Sequence, residues 1–305
     1  MKKILWAMSL AFWVLLGAGA LRADERMIME NEDLSILFEE PYRERAEALQ
    51  RIYPQTKEEI ERTLGWHLLS KPLVILVGSA EAFEQMSGSP YISAYALPER
   101  HIIVMSRSIM ASEPYLFNVT FKHELCHLLL HDHIEESLLP KWLDEGVCQW
   151  VSGSLGELVL SPMASASGRM DLSRHAVPFY RLAHTFPSDK YQLLLAYEES
   201  RSFVEYLSVN HGPESLPKIL NSLKDGNDIH RAVQMILSKP LDSLEEEWLA
   251  TIRTRSVWII WIGQYLYEVL FILAALLTVA AFIRLQVKKR RYAEEEEEDQ
   301  VGDHR

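Results

Sequence analysis

Two long apolar runs bracket a region of mixed pattern. The first runs from Ile4 to Leu21, behind Lys2 and Lys3, and ends in small residues that offer cleavage after Ala20 or Ala23. A short positive region, an apolar core and small residues are the pattern of a secretory signal peptide, here residues 1–23. The same run would also serve, uncleaved, as an anchor helix. The second run, Val257 to Ile283, is 27 residues long. As a helix it spans roughly 40 Å at ~1.5 Å per residue, whereas a bilayer core needs only ~20 such residues. Trp258, Trp261, Tyr265 and Tyr267 crowd its first half, and Arg284, Lys288, Lys289, Arg290 and Arg291 follow it. Aromatic residues at an interface and basic residues on the cytoplasmic side predict a single span over 256–284, with residues 285–305 inside. Gln264 and Glu268, one turn apart in this run, read as interface or helix-pairing residues and are given no role.

Between the runs the periodicity changes repeatedly. Glu39 to Trp66 is helical in pattern, with a break expected at Pro54 and a stop at Gly65. Lys71 to Gly78 and His101 to Ser106 are short β-branched runs and read as strands. Ala80 to Met86 reads as a short helix, Glu113 to His133 as a long one, and Pro140 to Gly153 as another that opens on a proline. A small-residue stretch from Ser161 to Phe179 has no period and reads as loop. From Tyr191 onward helices return, the last of them leading toward the second apolar run. A helix, a few strands and then mostly helices is an α+β order, expected as one extracytoplasmic domain over residues 24–255.

Composition narrows the reading. Hydrophobic residues make up 48% and charged residues 24%, enough for a buried core. The net charge of −12 owes much to the tail RYAEEEEEDQVGDHR, a solvated charge run. No basic stripe marks the central region, so nucleic acid is not an expected partner.

The densest chemistry lies in HELCHLLLHDH, His123 to His133. His123-Glu124-Leu125-Cys126-His127 matches H-E-x-x-H. Residues four apart share a helix face, so both imidazoles reach one ion. Glu124 sits beside them as the group that takes a proton from a water whose pKa a zinc ion lowers towards ~7. A catalytic zinc needs a third protein ligand. His131 continues the i, i+4 series, but one straight helix does not wrap three turns of ligands around an ion. His133 has the metzincin interval, yet Leu130 stands where that motif has the glycine that turns the chain back. Glu145, on the following helix, is better placed; its neighbour Asp144 would point about 100° away around that helix. The only cysteines, Cys126 and Cys148, each lie three residues after a proposed ligand. They are either a disulfide tying the two helices together or two small buried residues behind the site.

HELCH followed by Glu145 within WLDEG resembles the gluzincin clan of metallopeptidases. The M1 aminopeptidases carry a similar WLxEG after a slightly longer gap. The bacterial peptidase MA-like family is closer, with a later helix that here reads AYEESRSFVEYLSVNHG. The resemblance covers roughly residues 70 to 250. It implies a zincin-like, thermolysin-type core and zinc-dependent hydrolysis of peptide bonds. His123, His127 and Glu145 would be the zinc ligands and Glu124 the general base. Tyr197, 52 residues after Glu145, would be the oxyanion donor, or simply a core aromatic. The Gly-rich exopeptidase motif of the M1 enzymes is absent.

The expectation is a bacterial, single-pass, membrane-anchored zinc peptidase facing the periplasm, acting on peptides or envelope proteins. The sequence leaves its oligomeric state open. The rival reading is a catalytically silent, zinc-stabilised ectodomain that binds a partner and signals through the span.

Overall fold

The computed structural model describes residues 26–153 and 176–302. The expected signal segment and most of the small-residue stretch lie outside these. The chain divides into two compact units, the first ending at Trp248 and the second beginning at Leu249.

The first unit is mostly helical, with one small sheet. Its strands are β1 (Arg26–Glu30), β2 (Ser35–Glu39), β3 (Leu73–Val77), β4 (Ala94–Leu97) and β5 (Ile102–Ser106). They lie in the order β1-β2-β3-β5-β4. The inner pairs β2/β3 and β3/β5 are parallel, and the outer strands β1 and β4 run antiparallel to their neighbours. Alternation in β2 and β3 turns Ile36, Phe38, Val74 and Leu76 inward. β5 buries Ile103, Val104 and Met105 in succession, as a strand covered on both faces does. β3 and β5 are the two strands expected from sequence. β1, β2 and β4 were not, because each carries at most one β-branched residue, against three in β3 and three in β5.

Helix α1 (Arg43–Leu64) ends at Gly65, whose φ of 74° is the left-handed conformation glycine adopts without strain. The break expected at Pro54 does not occur, and the helix runs through it. Pro54 sits on the exposed face, where its missing N–H costs least. After α2 (Ala80–Ser87) and the single-turn α3 (Arg107–Met110) comes α4 (Pro114–His133). Every residue of α4 from Val119 to Leu130 except Lys122 is buried, so this helix is enclosed around its whole circumference. It packs against α1, β4 and α5 (Lys141–Ser152).

Helix α6 (Lys190–His211) packs closely along α5, and α7 (Ser215–Lys224) and α8 (Ile229–Leu237) complete the unit with the start of α9 (Leu241–Gly302). Gly146 makes the α5–α6 contact possible. A Cβ there would lie 2.5 Å from the Ser200 carbonyl oxygen and 2.7 Å from Val204. The segment 176–189 crosses from α5 to α6, and its Phe179 ring fills the space between Trp142, Phe203 and Trp248, at 4.8, 4.5 and 5.4 Å.

The second unit is the remainder of α9. Its Glu268–Gln286 stretch is 19 residues long, wholly exposed, and the one helix among the described residues long and apolar enough to cross a membrane.

The Gly146 contact yields a stability prediction. Gly146→Ala must push backbone apart rather than bend a side chain, so it is expected to destabilise the fold by about 1–3 kcal/mol. Denaturant titration of the full chain, followed by tryptophan fluorescence, measures this; an unchanged midpoint would mean that α6 does not sit this close.

Candidate metal centre

The enclosed helix α4 carries its polar residues at unusual depth. His123 and Glu124 have no exposed surface, and His127 is 4% exposed. Burying such groups costs several kcal/mol each unless they are paired or bind a metal. Helical spacing puts His123 and His127 on one face, and α5 brings Glu145, also without exposed surface, against them.

The three donor atoms face one another. The Nε2 atoms of His123 and His127 are 3.1 Å apart, and Glu145 Oε2 is 3.4 Å from each. A tetrahedral ion with ligand bonds of ~2.0–2.1 Å separates its ligands by roughly 3.3–3.4 Å. The triangle therefore has the size of one face of that tetrahedron. Two histidines and a carboxylate are also a donor set that zinc accepts.

The surrounding groups hold these side chains in place. His127 Nδ1 lies 2.6 Å from Asp144 Oδ1. A proton on Nδ1, donated to Asp144, leaves the Nε2 lone pair facing His123 and Glu145. Asp144 points away from the donor triangle, as its place on α5 suggested; its meeting with the back of His127 has no signal in the sequence. His131 Nε2 reaches the other oxygen of Asp144 at 3.3 Å. Lys141, one turn before Glu145, holds Glu145 Oε1 at 2.5 Å and leaves Oε2 to the triangle.

The electrostatics follow from burial and charge. Burial disfavours a charged His127, but Asp144 and Glu145 outweigh it and raise its pKa well above the usual histidine range. Burial pushes Glu145 up, yet Lys141 and then the histidines hold it well below the carboxylate range. Asp144 is likewise held low, chiefly by His127.

The remaining candidates sort themselves by position. His133 hydrogen-bonds the His67 carbonyl oxygen at 2.8 Å and packs on Trp66, away from the triangle. Cys126 and Cys148 are free, buried thiols that hydrogen-bond to each other, and Cys148 Sγ lies 3.4 Å from His127 Nδ1. Burial raises the Cys148 pKa well above the usual thiol value. His127, Glu145 and Tyr197 line a cavity of about 860 Å³. Edge strand β4 forms part of its wall with Tyr95 and Ala96, and the loop after α4 contributes Glu135 and Glu136. His184, which the sequence did not single out, lines it too. Tyr197 is 5% exposed and meets Phe186 edge-on at 5.0 Å, so it is both a packed aromatic and part of the cavity wall.

The sequence profile of the Peptidase MA superfamily matches residues 94–254. No curated protein matches significantly. Among solved structures, the chain is similar to yeast LTA4 hydrolase in complex with bestatin, at 11% identity and a TM-score of 0.44 over 77% of this chain and 37% of that one. It is similar to Legionella pneumophila aminopeptidase A in complex with aspartic acid, at 11% identity and a TM-score of 0.45 over 74% and 27%. It is also similar to an M1 zinc metallopeptidase from Deinococcus radiodurans, at 15% identity and a TM-score of 0.40 over 75% and 51%. The chain thus spans at most about half the length of these proteins.

The Asp144 contact sets an expectation for metal affinity. Asp144→Asn keeps the shape but loses the charge behind His127, and should weaken zinc binding by about 10–100-fold, measured by competition with a chromophoric chelator. Because His127 is basic, an incoming ion must displace its proton. Affinity should therefore fall as the pH is lowered, and calorimetry in buffers of different ionisation enthalpy should record proton release.

Proposed function

The chain belongs to the Peptidase MA superfamily, and on that premise we propose that it is a zinc-dependent peptidase with a thermolysin-type arrangement of ligands. The observation that carries this reading is the triangle of His123, His127 and Glu145 donor atoms at 3.1–3.4 Å. His123, His127 and Glu145 would hold the ion, with Asp144 and Lys141 orienting His127 and Glu145 from behind. When bound, zinc supplies Lewis-acid polarisation of the scissile carbonyl and lowers the pKa of water at the site.

The chain's own residues do the rest. The Glu124 carboxylate accepts a proton from the attacking water and delivers it to the departing amine nitrogen. The Tyr197 hydroxyl donates a hydrogen bond to the oxygen that gains charge as the carbonyl becomes tetrahedral. The substrate lies along β4. Among the described residues this strand pairs with β5 along one edge and lines the cavity, so an extended peptide can add to its other edge through backbone hydrogen bonds.

The apolar Glu268–Gln286 helix supports anchoring in a membrane. The sequence signals at residues 1–23 and 284–291 support an extracytoplasmic peptidase with its C-terminal tail inside. Peptides or envelope proteins near that membrane would then be the substrates.

Glu124→Gln tests the chemistry directly. It should lower kcat by at least ~10²–10⁴-fold while zinc content stays near that of the wild type. Zinc content and peptide turnover, measured side by side on a degenerate peptide library, decide it. Equal and measurable turnover in both proteins would remove Glu124 from the mechanism, and zinc-loaded wild type without turnover would favour a silent binding domain. Tyr197→Phe should cost about 10²–10³-fold in kcat with KM little changed; an unaltered kcat would return Tyr197 to a packing role.

A further inference from the structure

The first turn of α5, the helix that carries Lys141, Asp144 and Glu145, is capped from outside the helix. The backbone N–H groups of Lys141 and Trp142 donate to the Ala183 and Leu182 carbonyl oxygens at 2.8 and 3.1 Å. These carbonyls belong to the segment 176–189. Ala183 and His184 of the same segment line the cavity, and its Phe186 packs on Tyr197. One irregular segment thus touches both the helix bearing the third ligand and the proposed oxyanion donor.

Two acidic side chains hold that segment down. Glu199 of α6 accepts a hydrogen bond from the Val177 N–H at 2.8 Å, and Glu245 of α9 accepts one from the Phe179 N–H at 3.2 Å. Glu199 has no exposed surface, and among the described residues its Oε2 has no hydrogen-bond partner. Nothing in the peptidase chemistry uses this buried acid. We propose that Glu199 is a positioning residue: it latches the segment 176–189, which in turn caps α5 and sets the positions of Glu145 and Tyr197. The functional consequence rests on the peptidase reading; the latch itself does not.

Charge adds a signature that packing alone would lack. Burial raises the Glu199 pKa to about 8, outweighing the Val177 N–H, which favours the carboxylate, and the neighbouring Glu245, itself raised by burial, adds to the shift. Glu245 is the one charged group that acts on Glu199 among the described residues. The folded pKa lies above the ordinary carboxylate value. The stabilisation is therefore complete below that ordinary value and is lost as pH rises through about 8. Above that pH a buried carboxylate would face Glu245 and the latch would loosen.

The test is hydrogen exchange of the Lys141 and Trp142 amides, in the full chain in detergent micelles and without added metal. Rates are corrected for intrinsic exchange and compared at pH 6 and pH 9. In the wild type, protection of these two amides should fall by up to about tenfold at pH 9, one unit above the Glu199 pKa. Glu199→Gln, which keeps the acceptor oxygen but does not ionise, should stay protected at both pH values. Glu199→Leu should lose protection at both and bind zinc about 10–100-fold more weakly. Wild-type protection in Glu199→Leu would overturn the proposal. So would a loss at pH 9 in Glu199→Gln equal to that of the wild type, a comparison that holds even if the leucine variant does not fold. Because exchange is read without metal or substrate, an inactive or zinc-free wild type would refute the peptidase reading and leave the latch to be judged separately.

Discussion

The structure depends on one costly arrangement: two imidazoles and two carboxylates buried on and against a helix that is enclosed on every side. His123, Glu124 and Glu145 have no exposed surface, and His127 almost none. An apolar interior does not tolerate such groups unless each finds compensation. Asp144 and His131 compensate His127 from behind, and Lys141 compensates Glu145. The His123 and His127 Nε2 atoms and Glu145 Oε2 face one another with the spacing of ligands around a single small cation. A core helix with these residues and no ion to bind would carry the cost of burial and gain little from it.

Backbone proximity makes this arrangement possible. α5 must lie close to α4 to present Glu145, and close to α6 to place Tyr197 on the same cavity. Gly146, adjacent to Glu145, removes the one side chain that would keep α6 away. The segment 176–189 then closes the N-terminal end of α5 with backbone hydrogen bonds and an aromatic plug, Phe179. The position of Glu145, the cavity wall and core packing are therefore not separable here. The same few residues serve all three, so a change made for packing is felt at the donor triangle.

Much of this was legible beforehand, and the reasons differ by residue. The spacing of His123 and His127 needs only the 3.6-residue turn, so their shared face follows from helix geometry. Glu145 within WLDEG stood out by its family resemblance. Lys141 could have been found as well, because it precedes Glu145 by one turn on the same helix. Asp144 could not. Its direction around α5 was foreseeable, but what lies in that direction depends on how α5 crosses α4. His184 and Glu199 carried no local signal, since their importance comes from a segment without periodicity. Pro54 shows the converse: a strong local breaker is overridden when its missing donor falls on the exposed face of a long helix.

What the sequence by itself determined is whatever acts over one or two turns of chain. That includes the amphipathic and apolar runs, the two histidines on one face, the helix stop at Gly65 and the long apolar stretch near the C-terminus. Only the tertiary structure decided which atoms meet: Glu145 with both histidines, Asp144 behind His127, the two cysteines side by side, and Glu199 beneath the segment that caps α5. The physical reason is range. Helix and strand periodicity arise from neighbours within about four residues, whereas a ligand set closes only when helices distant in sequence pack at a definite angle and distance.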